Sequence, residues 1–177
     1  MNIARSQHTA TVLANGKVLV AADTFAELYD ASIGGFTRTG NLNIERISHT
    51  ATLLRNGQVL IAGGQGPLAG AELYDPDTGA FVPTASLNTA RWGAAVTLLN
   101  DGKVLVVGGD GANAAALSSA EIYDSSIHQF VTIAPMSTAR TDFTATTLSD
   151  GRVFVAGGTG SNNIAVFWLS TTDLLIP

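Results

Sequence analysis

The sequence predicts an all-β chain built from four similar units, each a small antiparallel sheet of four short strands. Three observations carry this. A block opening on arginine recurs four times, at Arg5, Arg46, Arg91 and Arg140. Each block holds short apolar runs separated by Gly, Asn and Asp, the spacing of strands and tight turns. No stretch sustains an apolar period near 3.6 residues, so no amphipathic helix is expected.

The elements follow in order within each unit. The Arg block leads into a first strand, as in Thr9-Ala10-Thr11 and Thr50-Ala51-Thr52. A turn comes next at Asn15-Gly16, Asn56-Gly57, Asp101-Gly102 and Asp150-Gly151. These pairs suit a two-residue hairpin whose central residues both take positive φ. A second strand reads Val18-Leu19-Val20, Val59-Leu60-Ile61, Val104-Leu105-Val106 and Val153-Phe154-Val155. In three units it ends in a glycine pair, Gly63-Gly64, Gly108-Gly109 and Gly157-Gly158; the first unit has Ala22-Asp23 there. A loop of changing length follows: Thr24-Phe25, then Gln65 to Gly70, then Asp110 to Ser119. The third strand is Ala26-Glu27-Leu28-Tyr29-Asp30, repeated at Ala71 to Asp75 and Ala120 to Asp124. In the fourth unit Ala165-Val166-Phe167-Trp168 is expected to stand in for it. After a turn such as Pro76-Asp77-Thr78-Gly79, a fourth strand carries Phe36, Phe81 or Phe130, each seven residues beyond its Tyr.

Four short strands in roughly 40–50 residues is the arithmetic of a β-propeller blade. The whole chain, 1–177, is expected to be one domain with blades near 1–40, 41–85, 86–134 and 135–177. The glycine pair, the Tyr of strand three and the aromatic seven residues on resemble the kelch motif, and its bacterial form most closely. The family usually places Trp at the second aromatic position, where this chain has Phe. The resemblance implies a disc of four-stranded antiparallel kelch-type blades. Kelch propellers usually hold five to seven blades. Four therefore imply either part of a longer propeller or an array that closes or associates, with a homo-oligomer completing the disc.

Composition narrows the function. Hydrophobic residues make up 46% of the 177, enough for a packed core. The chain has no cysteine, which removes disulfides, thiolate metal sites and a cysteine nucleophile. Galactose oxidase also carries kelch-like blades, but its copper site uses a Tyr crosslinked to Cys, which this sequence cannot form. The net charge of −5 and the scattered Lys and Arg argue against a nucleic-acid partner. The first ten residues carry no signal-peptide core, and no apolar run reaches a membrane span, although a parent protein could be secreted. No nucleophile elbow, phosphate loop or His-Glu-x-x-His motif is present. Asp75-Pro76-Asp77-Thr78-Gly79 has the composition of a type I turn and lacks the later ligands of a calcium loop. Asp23, Asp110 and Asp142 could line a cleft, but no spacing selects a glycosidase pair among them. No catalytic residue, metal or cofactor is expected.

A meander puts alternate connections at opposite ends of its strands. The Asn-Gly and Asp-x-x-Thr-Gly turns should share one face. The variable loops and the links holding Arg5, Arg46, Arg91 and Arg140 should share the other. Recognition on repeat scaffolds tends to use the variable face. The candidate ligand-binding residues there are Arg46, Gln65, Arg91, Trp92, Asp110, Asn113, Arg140, Asp142 and Asn162, with Asn163 beside it. Trp92 replaces Ser6 and Ile47 of the earlier units, so it either stacks on a sugar or partner side chain or packs on the next loop.

The arginines also invite a structural reading. One strand-three Glu per unit, Glu27, Glu72 or Glu121, offers each a bidentate partner. Pairing with the next unit gives Glu27–Arg46, Glu72–Arg91 and Glu121–Arg140 and leaves Arg5 over. Pairing within a unit leaves Arg140 over, since Val166 holds the Glu position. His8 and His49 are equivalent, but Ala94 and Phe143 at the same place point to a packed site rather than a metal. His128 is expected in a solvated turn. The expected function is a binding module for a protein or carbohydrate. The alternatives are part of a sugar-active enzyme of the oxidase or mutarotase kind, or a repeat unit that self-assembles.

Overall fold

The computed structural model describes the chain apart from Pro67, Asn163, Ile164, Ile176 and Pro177, and gives the backbone alone for the rest of residues 161–167. The second unit shows the plan most plainly. Strands β4 (Thr50–Leu53), β5 (Val59–Ala62), β6 (Ala71–Asp75) and β7 (Ala80–Thr84) form one antiparallel meander in that order. The third unit repeats it with β8 (Ala95–Leu98), β9 (Val104–Val107), β10 (Ala120–Asp124) and β11 (Gln129–Ile133).

The first unit has β1 (Thr9–Val12), β2 (Val18–Asp30) and β3 (Gly35–Arg46). Its long β2 doubles back. The carbonyls of Val20 and Phe25 both lie within 3.3 Å of Arg5 Nη1, whereas five extended residues span about 17 Å. The reversal falls at Asp23, whose φ is +54°. In the fourth unit β12 (Thr144–Thr147), β13 (Val153–Ala156) and β16 (Thr172–Leu175) form the sheet, while β14 (Thr159–Asn162) and β15 (Ala165–Trp168) make a separate hairpin.

That last arrangement corrects the expected third strand. Ala165–Trp168 lies in the loop hairpin, and Thr172–Leu175 holds the strand-three position. The register is decisive: Val155 faces Asp173 as Ile61 faces Glu72 and Val106 faces Glu121. The hairpin turns also differ from expectation. Among the described residues, Gly16, Gly57, Gly102 and Gly151 take positive φ, but Asn15, Asn56, Asp101 and Asp150 do not. Their side-chain oxygens instead accept the backbone N–H two residues on, at 3.0–3.1 Å. Leu54 and Gln58 close a three-residue connection with its glycine in the left-handed region.

Alternation along the strands assigns each face of a blade to one neighbour. Leu13 and Leu19 of the first blade pack with Val59, Ile61 and Tyr74 of the second. Leu54, Leu60 and Leu73 then meet Val104, Val106 and Tyr123 of the third. Leu99 and Leu105 meet Val153, Val155 and Leu175 of the fourth. Each of these side chains is at most 7% exposed, so each seam gains roughly 1.5–3 kcal/mol per residue removed from water. The innermost strands β1, β4, β8 and β12 are neighbours in turn, as blades around an axis require. No hydrogen-bonded ladder among the described residues joins the fourth sheet to the first.

Candidate binding face

One buried clip recurs in every unit and fixes the link that carries the candidate residues. Arg5 pairs with Glu27, Arg46 with Glu72, Arg91 with Glu121 and Arg140 with Asp173, at 2.7–2.9 Å. The pairing is therefore within each unit, not with the next one, and Arg140 is not left over. Asp173 takes the role expected for position 166. Its carboxyl lies below the usual range: burial pushes it up, but hydrogen bonds from Ser137 and the Arg140 charge outweigh that.

The second guanidinium nitrogen spans the loop ends. Arg46 Nη1 donates to the Gly63 and Gly70 carbonyls, Arg91 Nη1 to Gly108 and Ser119, and Arg140 Nη1 to Gly157 and Thr171. A variable loop is thus pinned at both ends by one invariant side chain, whatever its length. A further member escaped the sequence reading. Three residues before the Arg stand Asn2, Asn43 and Asn88; each donates to the Glu carboxylate, Asn2 through its backbone N–H and Asn43 and Asn88 through Nδ2, and each Nδ2 also donates to the carbonyl of Phe36, Phe81 or Phe130. The signal was available as Asn-x-x-Arg at three of four sites, with Ser137 at the fourth.

The glycine pairs mark close approach between blades. A Cβ on Gly63 would sit 2.4 Å from the Arg91 carbonyl oxygen, and one on Gly108 2.7 Å from that of Arg140. The next residue donates its N–H to the same carbonyl: Gly64 to Arg91 at 2.9 Å and Gly109 to Arg140 at 3.0 Å. A side chain at either position would wedge the seam open.

Turns and loops divide between two faces. Lys17–Asp30 and Lys103–Asp124 ion pairs join the two kinds of turn on one face. The links and variable loops meet on the other. There Asp23, Glu45, Arg46, Ile47, Gln65 and Gly66 line a cleft of about 340 Å³ between the first and second blades. Gln65 is exposed at its rim. Arg46, Arg91 and Arg140 are at most 1% exposed, their guanidinium groups spent inside the clips.

At the seam of the third and fourth blades Trp92 and Asp110 exchange both backbone hydrogen bonds, at 3.0 and 2.8 Å. The Trp92 side chain is half-buried. Asp110 is buried and accepts from Thr141 Oγ1 at 3.0 Å. Burial pushes its carboxyl above the usual range and the neighbouring Asp142 charge adds to this, against the Thr141 hydrogen bond. Asp142 is exposed, and Asn113 is exposed in a single turn, Ala112–Ala114. Asn162 lies on β14, but its side chain and all of Asn163 lie outside the described residues.

The histidines separate. His49 is buried, with Nε2 2.8 Å from Thr9 Oγ1, and its pKa is lowered to about 4 by burial and the Arg46 charge. His8 is exposed. No group of three metal-ligating side chains occurs among the described residues.

Charge is segregated between the faces. Of nine Lys and Arg residues, Arg5, Arg46, Arg91 and Arg140 are the buried clips. Lys17, Arg55, Lys103 and Arg152 sit at the hairpin turns, and Arg38 lies on the first sheet's outer strand over the Phe25 ring. The loop face therefore carries Asp23, Glu45 and Asp142 without an exposed Lys or Arg among the described links and variable loops. Sequence reading named Asp23 and Asp142 but missed Glu45 and the sorting of cations.

Comparison with known proteins agrees with this anatomy. Residues 93–137 match the Kelch motif family model. No curated protein matches the chain. The matched segment is the third unit, and the first, second and fourth reproduce its clip and blade register in their own residues. The third unit thus carries the Kelch motif, and the sheets are arranged as antiparallel kelch-type blades of a β-propeller.

Proposed function

We propose that this chain is a non-catalytic interaction module whose loop face receives a cationic segment of a partner protein. The observation that carries the reading is the segregation of charge. Carboxylates of Asp23 and Glu45 flank a cleft with the Gln65 amide at its rim, and four of the five cations outside the clips sit at the hairpin turns of the far face, while Arg38 on the outer strand stacks on Phe25. A Lys or Arg side chain entering that cleft gains a charge-assisted partner, and the surrounding field steers it there. The Arg clips hold the loop ends, so little ordering is left to accompany binding.

The test is a titration of the isotope-labelled protein with a short lysine- and arginine-bearing peptide, followed by backbone amide shifts at low and high salt. Shifts are expected at Ile47, Gln65 and Gly66, weakening as salt rises. An acidic peptide should leave them unmoved. Shifts confined to the Lys17 and Lys103 turns, or a response only to oligosaccharides centred on Trp92, would overturn the assignment.

A further inference from the structure

The second and third internal seams obey one rule, the first follows its apolar part with Ala22-Asp23 in place of the glycines, and the outer faces of the first and fourth blades each carry half of it. At the second and third seams, the leading blade supplies two leucine-type side chains, a positive-φ glycine with no room for a Cβ, and an N–H from the following glycine. The next blade supplies the carbonyl of its Arg, two alternating apolar residues of strand two, and a Tyr or Leu of strand three. The fourth blade's outward face has every leading element, and among the described residues no further blade packs against it. Phe154 and Leu174 are 41% and 45% exposed, while their equivalents Leu60, Leu105 and Leu73 are 1%, 0% and 6%. Gly157 keeps φ at +71°, yet a Cβ there would meet nothing within 4 Å, where Gly63 and Gly108 meet an Arg carbonyl. The Gly158 N–H donates to no acceptor among the described residues, unlike those of Gly64 and Gly109.

The first blade's outward face holds the complementary half. Val12 is 63% exposed and Tyr29 half-buried, while Tyr74 and Tyr123 at the equivalent place are 0% exposed. The Arg5 carbonyl accepts no hydrogen bond among the described residues, where those of Arg91 and Arg140 do. An unmatched donor, an unmatched carbonyl and two apolar surfaces thus match one another by the rule that builds the other seams. We infer that the fourth blade of one copy docks on the first blade of a second copy, Gly158 N–H to Arg5 carbonyl, with Phe154 and Leu174 packed over Val12, Val18 and Tyr29. The contact is head to tail. It joins two different patches, so it closes a ring or grows, depending on the angle between copies.

The experiment uses the full chain. Light scattering across a concentration series should show mass rising from the 18.2 kDa monomer to at least twice that. Phe154→Glu and Val12→Glu change exposed positions, so each should keep the circular dichroism of the parent, and each alone should remain monomeric. Mixed in equal amounts, the two variants should form a dimer and nothing larger, because one keeps an intact first blade and the other an intact fourth. A parent chain that stays monomeric at all concentrations overturns the proposal. So does association that survives Val12→Glu, which would mean a symmetric contact through one face, or a mixture that fails to dimerise.

Discussion

Glu121→Gln is the sharpest test of the clip that organises every blade. Glu121 accepts four hydrogen bonds: from Asn88 N at 2.6 Å, Asn88 Nδ2 at 3.0 Å, Thr89 N at 2.9 Å and Arg91 Nη2 at 2.9 Å. Gln keeps the shape but has one oxygen. Whichever way its amide turns, an NH₂ faces two donors that lose their acceptor, at about 1–3 kcal/mol each. The Arg91 charge also stays in place at 1% exposure without its counter-charge. Removing one member of a buried pair costs about 3–5 kcal/mol, a figure that already contains part of the hydrogen-bond loss. The expected loss is therefore about 3–5 kcal/mol, a large share of the 5–15 typical of a domain. Asp173→Asn in the fourth blade should cost about half as much, because that carboxylate is 11% exposed and water can replace part of what is lost. Urea unfolding followed by far-ultraviolet circular dichroism measures both. A cost below about 1 kcal/mol for Glu121→Gln, or an equal cost for the two variants, would refute the view that these pairs hold the link against the sheet.

Three more outcomes follow from other parts of the structure. His49, held at about 4 against an ordinary 6.5, binds its proton more readily when unfolded, so stability falls as pH drops through that window. Between pH 7.5 and 5 the loss is about 2 kcal/mol, and it should be absent from His49→Gln and so appear as the difference in pH dependence between parent and variant in parallel urea titrations. Gly108→Ala places a methyl 2.7 Å from the Arg140 carbonyl oxygen and should cost at least about 3 kcal/mol, while Gly157→Ala, with open space, should cost only the positive-φ strain of about 1–2 kcal/mol; thermal unfolding of dilute protein ranks them. Tyr123→Phe removes the 2.9 Å hydrogen bond to Thr84 across the second seam and should cost about 1 kcal/mol by the same unfolding assay.

The seam chemistry also explains a change the sequence carries at its last boundary. Tyr74 bonds Thr39 and Tyr123 bonds Thr84, each Thr three residues beyond the Phe of the preceding blade. At the third boundary both partners become apolar together. Ile133 stands at the Thr position and Leu175 at the Tyr position, and they share one core cluster. A buried hydroxyl without its partner costs more than a pair of hydrocarbons, so the two changes belong together. The loss of Tyr, with Asp for Glu, is also why Thr172–Leu175 did not read as a third strand.

The repeat, the strand order within a blade, the glycine pairs and a strand-three Glu available to the arginines in three units were legible in the residues, because strand period, turn chemistry and hydrogen-bonding valence are local properties. Which acid each arginine meets was not, since both pairings satisfy the same spacing and only the folded path of the link chooses between them. Nor could the sequence show that the cations gather on the turn face, or that the outer faces of the first and fourth blades complement each other. Those facts depend on where separate strands end up in space, which burial of the seams decides collectively and no single segment encodes.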